Sequence, residues 1–167
     1  MHVQIFTTGG TIDKIYFDAK SDYQIGDPQI VEILRTAGVS FSYECETLMH
    51  KDSLDLTDED RALIARRVVE AEADRVILTH GTDSMVHTAK TVLEALGPHP
   101  IKTVVLVGSL APARFRTTDA EFNIGFAAAA VQALSPGVYI TMNGGVFRPH
   151  EARKNRELNR FEAVPTA

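Results

Sequence analysis

Residues 76–85 read Val76-Ile77-Leu78-Thr79-His80-Gly81-Thr82-Asp83-Ser84-Met85, and the rest of the sequence is organised around them. The apolar residues predict a buried strand, the small polar residues a tight turn, and the apolar pattern of residues 86–96 a helix. The first N–H groups of a helix have no partner within it, so they can receive an anion or an oxyanion. Thr82 and Asp83 are therefore expected at the carboxyl end of a strand, where open α/β sheets bind ligands.

A simpler interpretation is that Asp83 or Ser84 only caps the following helix. A second stretch argues against it, because residues 3–13 have the same order of strand, glycine turn and threonine. They read Val3-Gln4-Ile5-Phe6-Thr7-Thr8-Gly9-Gly10-Thr11-Ile12-Asp13. Capping does not explain two threonines, Thr11 and Thr82, that each follow a glycine at the end of a strand. The pair indicates one shared site.

The composition is that of an ordinary globular protein, with 44% hydrophobic and 23% charged residues in a chain of 167. We expect one domain spanning residues 1–167. The net charge of −5 argues against a general nucleic-acid binder. The single cysteine, Cys45, cannot form an intrachain disulfide and is expected to be buried. Residues 1–4 show no secretory signal and the apolar run 126–134 is too short to span a bilayer, so a cytoplasmic protein is expected.

Hydrophobic patterns predict strands that alternate with helices. The predicted strands are 3–6, 39–46, 76–79, 103–107 and 138–142, and the predicted helices are 28–37, 57–71, 86–96 and 119–134. Asp27 should cap the first helix, with Pro28 as its first residue. Residues 13–26, 48–56 and 143–154 are predicted as polar connections. This alternation predicts a parallel sheet with helices on both faces, so the loops that follow the strands share one edge.

Those loops carry the side chains that acyl transfer requires. They are Thr8, Thr11, Ser53, Thr82, Asp83, Ser109, Asn143 and Lys154. A lysine near a carboxylate can take the proton of a threonine hydroxyl, and backbone N–H groups around the glycines can hold the oxyanion. Each residue alone has a simpler interpretation: Lys154 as a solvated charge, Ser53 as a turn residue, and Tyr23 as a packing residue.

Other chemistries have no sequence motif. The sequence has no G-x-G-x-x-G after the first strand, no G-x-x-x-x-G-K-[ST] and no G-x-S-x-G, so nucleotide binding and a serine-hydrolase elbow are unsupported. The six histidines are scattered, and His80 and His87 are too far apart for a pair of ligands one helical turn apart. No metal site is predicted.

The sequence resembles the bacterial-type L-asparaginase/glutaminase family. Thr8-Gly9-Gly10-Thr11-Ile12 and Thr79-His80-Gly81-Thr82-Asp83 are similar to its two signature motifs. Further matches follow in order at Lys20-Ser21-Asp22-Tyr23, Asp52-Ser53-Leu54-Asp55-Leu56-Thr57, Val107-Gly108-Ser109, Thr118-Asp119-Ala120-Glu121-Phe122-Asn123, and Met142-Asn143 leading to Lys154. The resemblance covers nearly the whole chain. It implies a flavodoxin-like sheet. It also implies an enzyme that uses no cofactor and hydrolyses L-asparagine to L-aspartate and ammonia through a threonine acyl-enzyme.

The resemblance also implies a role for each matching residue. Thr11 matches the primary nucleophile and Tyr23 lies on a mobile lid, whereas Thr82, Asp83 and Lys154 match a second catalytic cluster. Which threonine attacks first stays open, with Thr11 favoured. The substrate-binding set implied by the family comprises Gly10, Asp52, Ser53, Gly81, Thr82, Asp83 and Ser109. Within it, Ser53 would hold the substrate α-carboxylate, Asp83 the α-ammonium, and the backbone at Ser109 the amide end.

Three departures from the family pattern bear on substrate binding. The family usually has a second domain and borrows an acidic residue from a neighbouring subunit, whereas this sequence ends at Ala167. The position after Ser53, often glutamine, is Leu54, and a common arginine before the loop proline is Ala111. Weak substrate binding is therefore expected. The resemblance also implies a homo-oligomer (dimer or tetramer), and no nucleic-acid or membrane partner is expected. A glutaminase, another small-amide hydrolase, a catalytically silent amino-acid-binding domain and the ammonia-generating part of an amidotransferase remain alternatives.

Overall fold

The computed structural model describes residues 1–17 and 22–164. Its elements in chain order are β1 (His2–Gly9), a 3-10 helix (Thr11–Asp13), β2 (Lys14–Phe17), β3 (Asp22–Ile25), α1 (Gln29–Ala37), β4 (Ser42–Lys51), α2 (Asp58–Glu70), β5 (Arg75–Thr79), α3 (Met85–Leu96), β6 (Thr103–Val107), α4 (Ala120–Ala133), β7 (Gly137–Met142), β8 (Gly145–Phe147), β9 (Ala152–Asn155) and β10 (Arg160–Ala163). Within the described ranges, every helix is too short or too polar to span a bilayer.

The main sheet has the strand order β4-β1-β5-β6-β7-β8. Neighbouring strands from β4 to β7 are parallel, and β8 is antiparallel to β7. When only the parallel strands are numbered along the chain, the order becomes 2-1-3-4-5, which is that of flavodoxin-like sheets. The predicted fold class is therefore confirmed. The strand order reverses at β1, so the loops after β1 and β5 flank the crevice in which such sheets bind ligands.

Both faces of the sheet are covered because successive strand residues point to opposite sides. Ile77 packs with α1 and α4 on one face, and Leu78 packs with α2 and α3 on the other. Both side chains are fully buried, and burial of an aliphatic side chain of this size contributes roughly 1.5–3 kcal/mol. Ala127 and Ala130 on α4 are also buried against the sheet, so their small side chains allow the close packing that the sequence predicts.

The second strand is longer than predicted. Residues 48–51, predicted as loop, continue β4, because β1 pairs with it through Gly9 opposite Lys51 across a register shift. Cys45 is half-buried rather than buried, since β4 is an edge strand of the sheet. Burial of this thiol and the nearby charge of Asp13 raise its pKa to about 11, so the thiolate form is scarce at neutral pH.

Two polar connections contain strands that periodicity does not reveal. Residues 13–26 include the antiparallel hairpin of β2 and β3, in which the rings of Tyr16 and Tyr23 meet edge to face at 5.7 Å between centroids. Lys20 and Ser21, two of the residues that match the family, lie outside the described residues. Residues 143–154 contain β8 and part of β9, which pairs with β10. Strands of three or four residues are too short to show a period.

The helix ends are defined partly by local residues and partly by distant ones. At the start of α2, Thr57 and Asp60 form the predicted reciprocal cap. The Asp27–Pro28 prediction for α1 is wrong by one residue, because the helix begins at Gln29 and Pro28 occupies the N-cap position without a side-chain cap. The carboxylate of Asp13 accepts from the Gln29 N–H at 2.8 Å instead. This contact fixes the 3-10 helix against the start of α1.

Two glycine turns touch at the crevice. Gly10 has a φ of +87°, and a Cβ added there would lie 2.5 Å from the backbone N and Cα of Gly81. No side chain fits in that space, since real Cβ atoms do not approach other heavy atoms below 3.0 Å. The glycine at position 10 therefore lets the turn after β1 press directly on the turn after β5.

We expect Gly10→Ala to destabilise the fold more than Gly97→Ala does. Gly97 is the matched control, because its backbone (φ +75°, ψ −172°) is close to that of Gly10 (φ +87°, ψ −171°) and an added Cβ would meet nothing within 4 Å. Gly97→Ala should cost about 1–3 kcal/mol for this backbone conformation alone. Gly10→Ala should add an overpacking cost of roughly 1–3 kcal/mol. Urea unfolding of the three proteins measures both costs, and equal losses would show that the two turns do not press on each other.

The buried carboxyl of Asp13 predicts a pH-dependent stability. Burial raises its pKa from the ordinary value of 3.8 to about 7, although the Gln29 N–H acts to lower it. Between these values the unfolded chain loses a proton that the folded chain keeps, so this group's contribution to stability falls as pH rises and levels off above about pH 7. The limiting loss is about 4 kcal/mol, at about 1.4 kcal/mol per pKa unit.

Comparison with Asp13→Asn isolates this effect. Burial lowers the pKa of His80 from 6.5 to about 4, so His80 makes stability fall towards acid and masks the trend in the wild-type protein. Asparagine keeps an acceptor for the Gln29 N–H and removes the titration. The variant should gain stability relative to the wild type as pH rises from 4 to 7, measured by urea unfolding at each pH. A difference that stays constant with pH would contradict this.

Candidate active site

The loops after β1, β4, β5 and β6 meet at one edge of the sheet. The contact of Gly10 with Gly81 continues to the next loop, because a Cβ on Gly81 would lie 2.7 Å from the Cβ and Oγ of Ser53. A Cβ on Gly108 would overlap the carbonyl oxygen of His80. These contacts bring the two threonine-bearing turns and Ser53 together, as the sequence predicts.

Lys154, Thr82 and Asp83 form one hydrogen-bonded cluster. The Lys154 amine donates to Thr82 Oγ1 at 2.7 Å and to Asp83 Oδ1 at 2.9 Å. The side chain of Lys154 is 14% exposed and Thr82 is 4% exposed. The simpler interpretation of Lys154 as a solvated surface charge is therefore wrong. A hydroxyl, an amine and a carboxylate in contact form the arrangement that activates a hydroxyl nucleophile.

Ser53 connects this cluster to the loop after β4. Its hydroxyl accepts from the Asp83 N–H at 3.2 Å, and its carbonyl accepts from the Ser84 hydroxyl at 2.5 Å. Neither Asp83 nor Ser84 caps α3 through its side chain, because Asp83 is turned to Lys154 and Ser84 to Ser53. The capping interpretation of this turn is therefore wrong. Ser53 itself is 1% exposed, at the inner side of the crevice.

The His80 ring packs against the turn that carries Thr82 and Asp83 and forms hydrogen bonds there. The sequence does not predict it as a site residue. Its Nδ1 lies 2.6 Å from the Gly81 carbonyl oxygen, and its Nε2 lies 2.8 Å from Thr88 Oγ1. A carbonyl only accepts, so Nδ1 carries the hydrogen and Nε2 accepts from the Thr88 hydroxyl. The low pKa, caused by complete burial, keeps the ring neutral. The sequence signal is a polar ring directly after a largely apolar, buried strand.

A buried amide organises the loop after β6. Asn123 donates to the Gly108 carbonyl at 3.1 Å and to Asp119 at 2.8 Å, and it accepts from the Asn143 N–H at 3.3 Å. Asp119 accepts from the N–H groups of Leu110 and Ala111, each at 3.0 Å. Asn123 and Asp119 lie in a matching motif but had no predicted role. They join the loop after β6 to the turn after β7.

Ser109 is buried, and its hydroxyl donates to the Ala111 carbonyl at 2.5 Å. The side chain is thus turned to its own loop. Thr8, another hydroxyl assigned to the crevice, donates to the Thr79 carbonyl at 3.0 Å and is 1% exposed. It joins β1 to β5 beneath the crevice. Asn143 accepts from the Phe161 N–H at 2.8 Å and so holds the β9–β10 hairpin.

Thr11 begins the 3-10 helix directly after Gly10 and is half-buried. The Gly10–Gly81 contact places its turn against the turn of Thr82. Tyr23 lies on the neighbouring hairpin, 47% exposed, with its ring 6.1 Å from that of Phe115. The roles of Thr11 as nucleophile and of Tyr23 as lid residue stay predictions.

Asp52 is paired rather than free. Its carboxylate accepts from Lys14 Nζ at 2.8 Å and from the Leu54 N–H at 3.2 Å. Burial acts to raise the pKa of Asp52, but these hydrogen bonds outweigh it and hold the pKa below the ordinary value. Asp52 therefore ties the β2–β3 hairpin to the loop after β4. Across residues 1–17 and 22–164, no three His, Cys, Asp or Glu side chains are grouped closely enough to hold a metal ion.

Comparison with known proteins gives relatives along the whole chain. An L-asparaginase of Thermococcus kodakarensis is 28% identical over 175 residues, covering 98% of this chain and 51% of that protein. A glutaminase-asparaginase of Pseudomonas aeruginosa is 28% identical over 169 residues, covering 92% of this chain and 45% of that protein. One component of the glutamyl-tRNA(Gln) amidotransferase of Pyrobaculum aerophilum is 33% identical over 145 residues, covering 80% of this chain and 32% of that component. The chain thus spans about half the length of the first two relatives and about a third of the last.

The fold comparison agrees with the sequence comparison. The structure of the thermostable L-asparaginase from Thermococcus kodakarensis aligns with a TM-score of 0.85 at 26% identity, covering 100% of this chain and 52% of that one. The family model described as "Asparaginase, N-terminal" matches residues 2–166. The resemblance seen in the two glycine–threonine motifs is confirmed. Because this model matches nearly the entire sequence, the chain belongs to the asparaginase family, in the region of its N-terminal domain.

Proposed function

We propose that this chain catalyses the release of ammonia from a small ω-amide through a threonine acyl-enzyme, with L-asparagine as the family substrate to test first. The contact of Lys154 with both Thr82 and Asp83 carries this proposal, because it couples a hydroxyl to an amine and a carboxylate at the ligand-binding edge of the sheet. The relatives named L-asparaginase support the same chemistry.

The proposed reaction has two steps. In the first, the Thr11 hydroxyl attacks the amide carbon, its proton passes through the Thr82–Lys154 relay to the leaving nitrogen, and the C–N bond breaks to release ammonia. Backbone N–H groups of the glycine turns hold the oxyanion. In this step Lys154 gives one proton to the leaving nitrogen and takes another from Thr82, and Asp83 stabilises the lysine cation before and after the exchange. In the second, water attacks the threonyl ester, one proton of the water returns to the Thr11 oxygen as the C–O bond to threonine breaks, and the acid is released.

The substrate contacts are proposed from the same geometry. Ser53 lies at the inner side of the crevice beside Asp83, where its hydroxyl can receive an α-carboxylate as the family pattern implies. Gly10 and Gly81 let the two turns approach each other, because a Cβ on Gly10 would overlap Gly81 and one on Gly81 would overlap Ser53. The Gly10 N–H donates to the Lys51 carbonyl at 3.0 Å, so Gly10 shapes the site and does not bind substrate through its N–H. The backbone at Ser109 borders the amide end, since its hydroxyl is engaged with Ala111. Asp52 acts indirectly, by holding the hairpin through Lys14.

The deciding assay is ammonia release from a panel of amides, including L-asparagine and L-glutamine, by the pure protein. Release by the isolated chain supports the proposal. The amidotransferase relative suggests a second candidate, in which ammonia forms for a partner reaction. Release that appears only after a partner protein is added would favour that candidate. No release, together with stabilisation by L-aspartate, would indicate a silent amino-acid-binding domain.

We expect Thr11→Ala, Thr82→Ala and Lys154→Met each to lower kcat by about 10³-fold or more, as when a nucleophile or its activating group is lost. Lys154→Met keeps the length of the side chain and removes the amine. Thr91→Ala and Lys90→Met on α3 are matched controls, because they make the same chemical changes away from the crevice. Unfolding midpoints of all five variants separate loss of catalysis from loss of fold.

Peptide mapping by mass spectrometry then identifies the residue that is acylated first. The substrate is mixed with Thr82→Ala and the reaction is stopped by acid. An ester on Thr11 supports the order given above. If instead Thr11→Ala traps an ester on Thr82 and Thr82→Ala traps none, Thr82 is the primary nucleophile. Near-normal turnover of either threonine variant would remove that residue from the chemistry.

We expect the β2–β3 hairpin to act as a lid that closes when the site is occupied. It is anchored at its base, where Gly26 N–H donates to the Asp13 carbonyl at 2.8 Å, and at its side by the Lys14–Asp52 pair. Closure would exclude water until ammonia has left. Amide hydrogen exchange of residues 22–25 should slow when L-aspartate is bound, whereas α2 should not change. Equal exchange with and without L-aspartate would contradict a lid.

A further inference from the structure

Asp83 faces two cations, not one. Besides the hydrogen bond from Lys154 at 2.9 Å, its Oδ1 lies 3.6 Å from Nη2 of Arg156. The carboxylate side chain is 30% exposed and that of Arg156 is 71% exposed, so the arginine approaches from the solvent side. Lys154 and Arg156 against Asp83 give this cluster a net charge of +1 when all three are ionised.

The other charged side chains of the β9–β10 hairpin are paired with each other or exposed to solvent. They therefore leave the excess positive charge beside Asp83 in place. Arg153 is bound to Glu162 at 2.9 and 2.5 Å, and Arg160 lies 3.6 Å from the same carboxylate. Glu157 is exposed and lies with Arg153, Lys154, Asn155 and Arg156 around a cavity of about 470 Å³ that is lined by hairpin residues alone. The charges that a substrate at Asp83 would meet are therefore given by the contacts of Asp83 with Lys154 and Arg156, not by this cavity.

An α-ammonium group at Asp83 would meet both competition and repulsion. It would have to share Asp83 Oδ1 with Arg156, whose like charge lies 3.6 Å from that oxygen and is screened only in part by the surrounding water. Leu54, at the position where the family often has an amide side chain, is 67% exposed and offers no side-chain acceptor. A substrate carboxylate, in contrast, is attracted by the excess positive charge.

We propose that Arg156 determines specificity by opposing an α-ammonium, and that the preferred substrates are ω-monoamides of dicarboxylic acids that carry no charged α-amine. This inference rests on the proposed function and narrows its substrate class. Arg156 acts on the choice of substrate and takes no part in bond breaking. Its effect should therefore lie in KM for α-amino substrates, with kcat little changed.

The experiment compares succinamate with L-asparagine, which differ by the α-ammonium alone. We expect kcat/KM of the wild-type protein to be at least about 10-fold higher for succinamate. Arg156→Gln should lower this preference about 10-fold or more, mainly through a lower KM for L-asparagine. Arg160→Gln is the matched control, because it makes the same charge change on the same hairpin but beside Glu162. It should leave the preference unchanged.

Binding of the products, succinate and L-aspartate, by titration calorimetry tests the inference without turnover. The wild-type protein should bind succinate more tightly, and Arg156→Gln should shift the ratio towards L-aspartate. Tighter L-aspartate binding by the wild type, or equal shifts in Arg156→Gln and Arg160→Gln, would overturn the inference. If the proposed function is wrong, no amide will yield ammonia. The ratio of succinate binding to L-aspartate binding still tests the role of Arg156 in that case.

Discussion

The candidate site depends on a backbone contact from which side chains are excluded. At the point where the strand order reverses, the turns after β1 and β5 approach so closely that a single Cβ on Gly10 would overlap Gly81. Hydrogen bonds join the next layer, in which Ser53 holds the Asp83 N–H and His80 holds the Gly81 carbonyl. The hydroxyls of Thr11 and Thr82 therefore lie on closely packed turns at the edge of a buried sheet, an arrangement suited to the preorganised catalysis that we propose.

Electrostatics add a second constraint, which differs between the two sides of the site. Complete burial keeps His80 neutral and thereby suits it to hold a carbonyl without adding charge beneath the site. At the mouth of the crevice, charged groups stay partly hydrated, and Lys154 and Arg156 converge on Asp83. The site thus has a neutral base at His80 and charged groups at its mouth, namely Asp83, Lys154 and Arg156. We propose that the base fixes the geometry of the turn and that the charges at the mouth select the substrate.

Much of this was predictable because it follows from local patterns. The apolar strands, the reciprocal cap at Thr57 and the meeting of the glycine–threonine turns at one edge follow from periodicity and the geometry of parallel sheets. The cap that Asp13 gives to Gln29 spans 16 residues and leaves no local signal. The position of Arg156 depends on a tight turn with Asn159 at a φ of +46°, which composition does not specify. The sequence could not supply those distant contacts that neither the strand topology nor the family motifs imply.

The cluster of Thr82, Asp83 and Lys154 joins residues that are 72 positions apart, and this spacing has a consequence for biosynthesis. The parallel strands all lie before residue 143, so the sheet can assemble while the chain is still being translated. Lys154 leaves the ribosome later, on a hairpin that is held to the sheet through Asn143. The strands of the sheet are therefore synthesised before the amine of the proposed catalytic cluster.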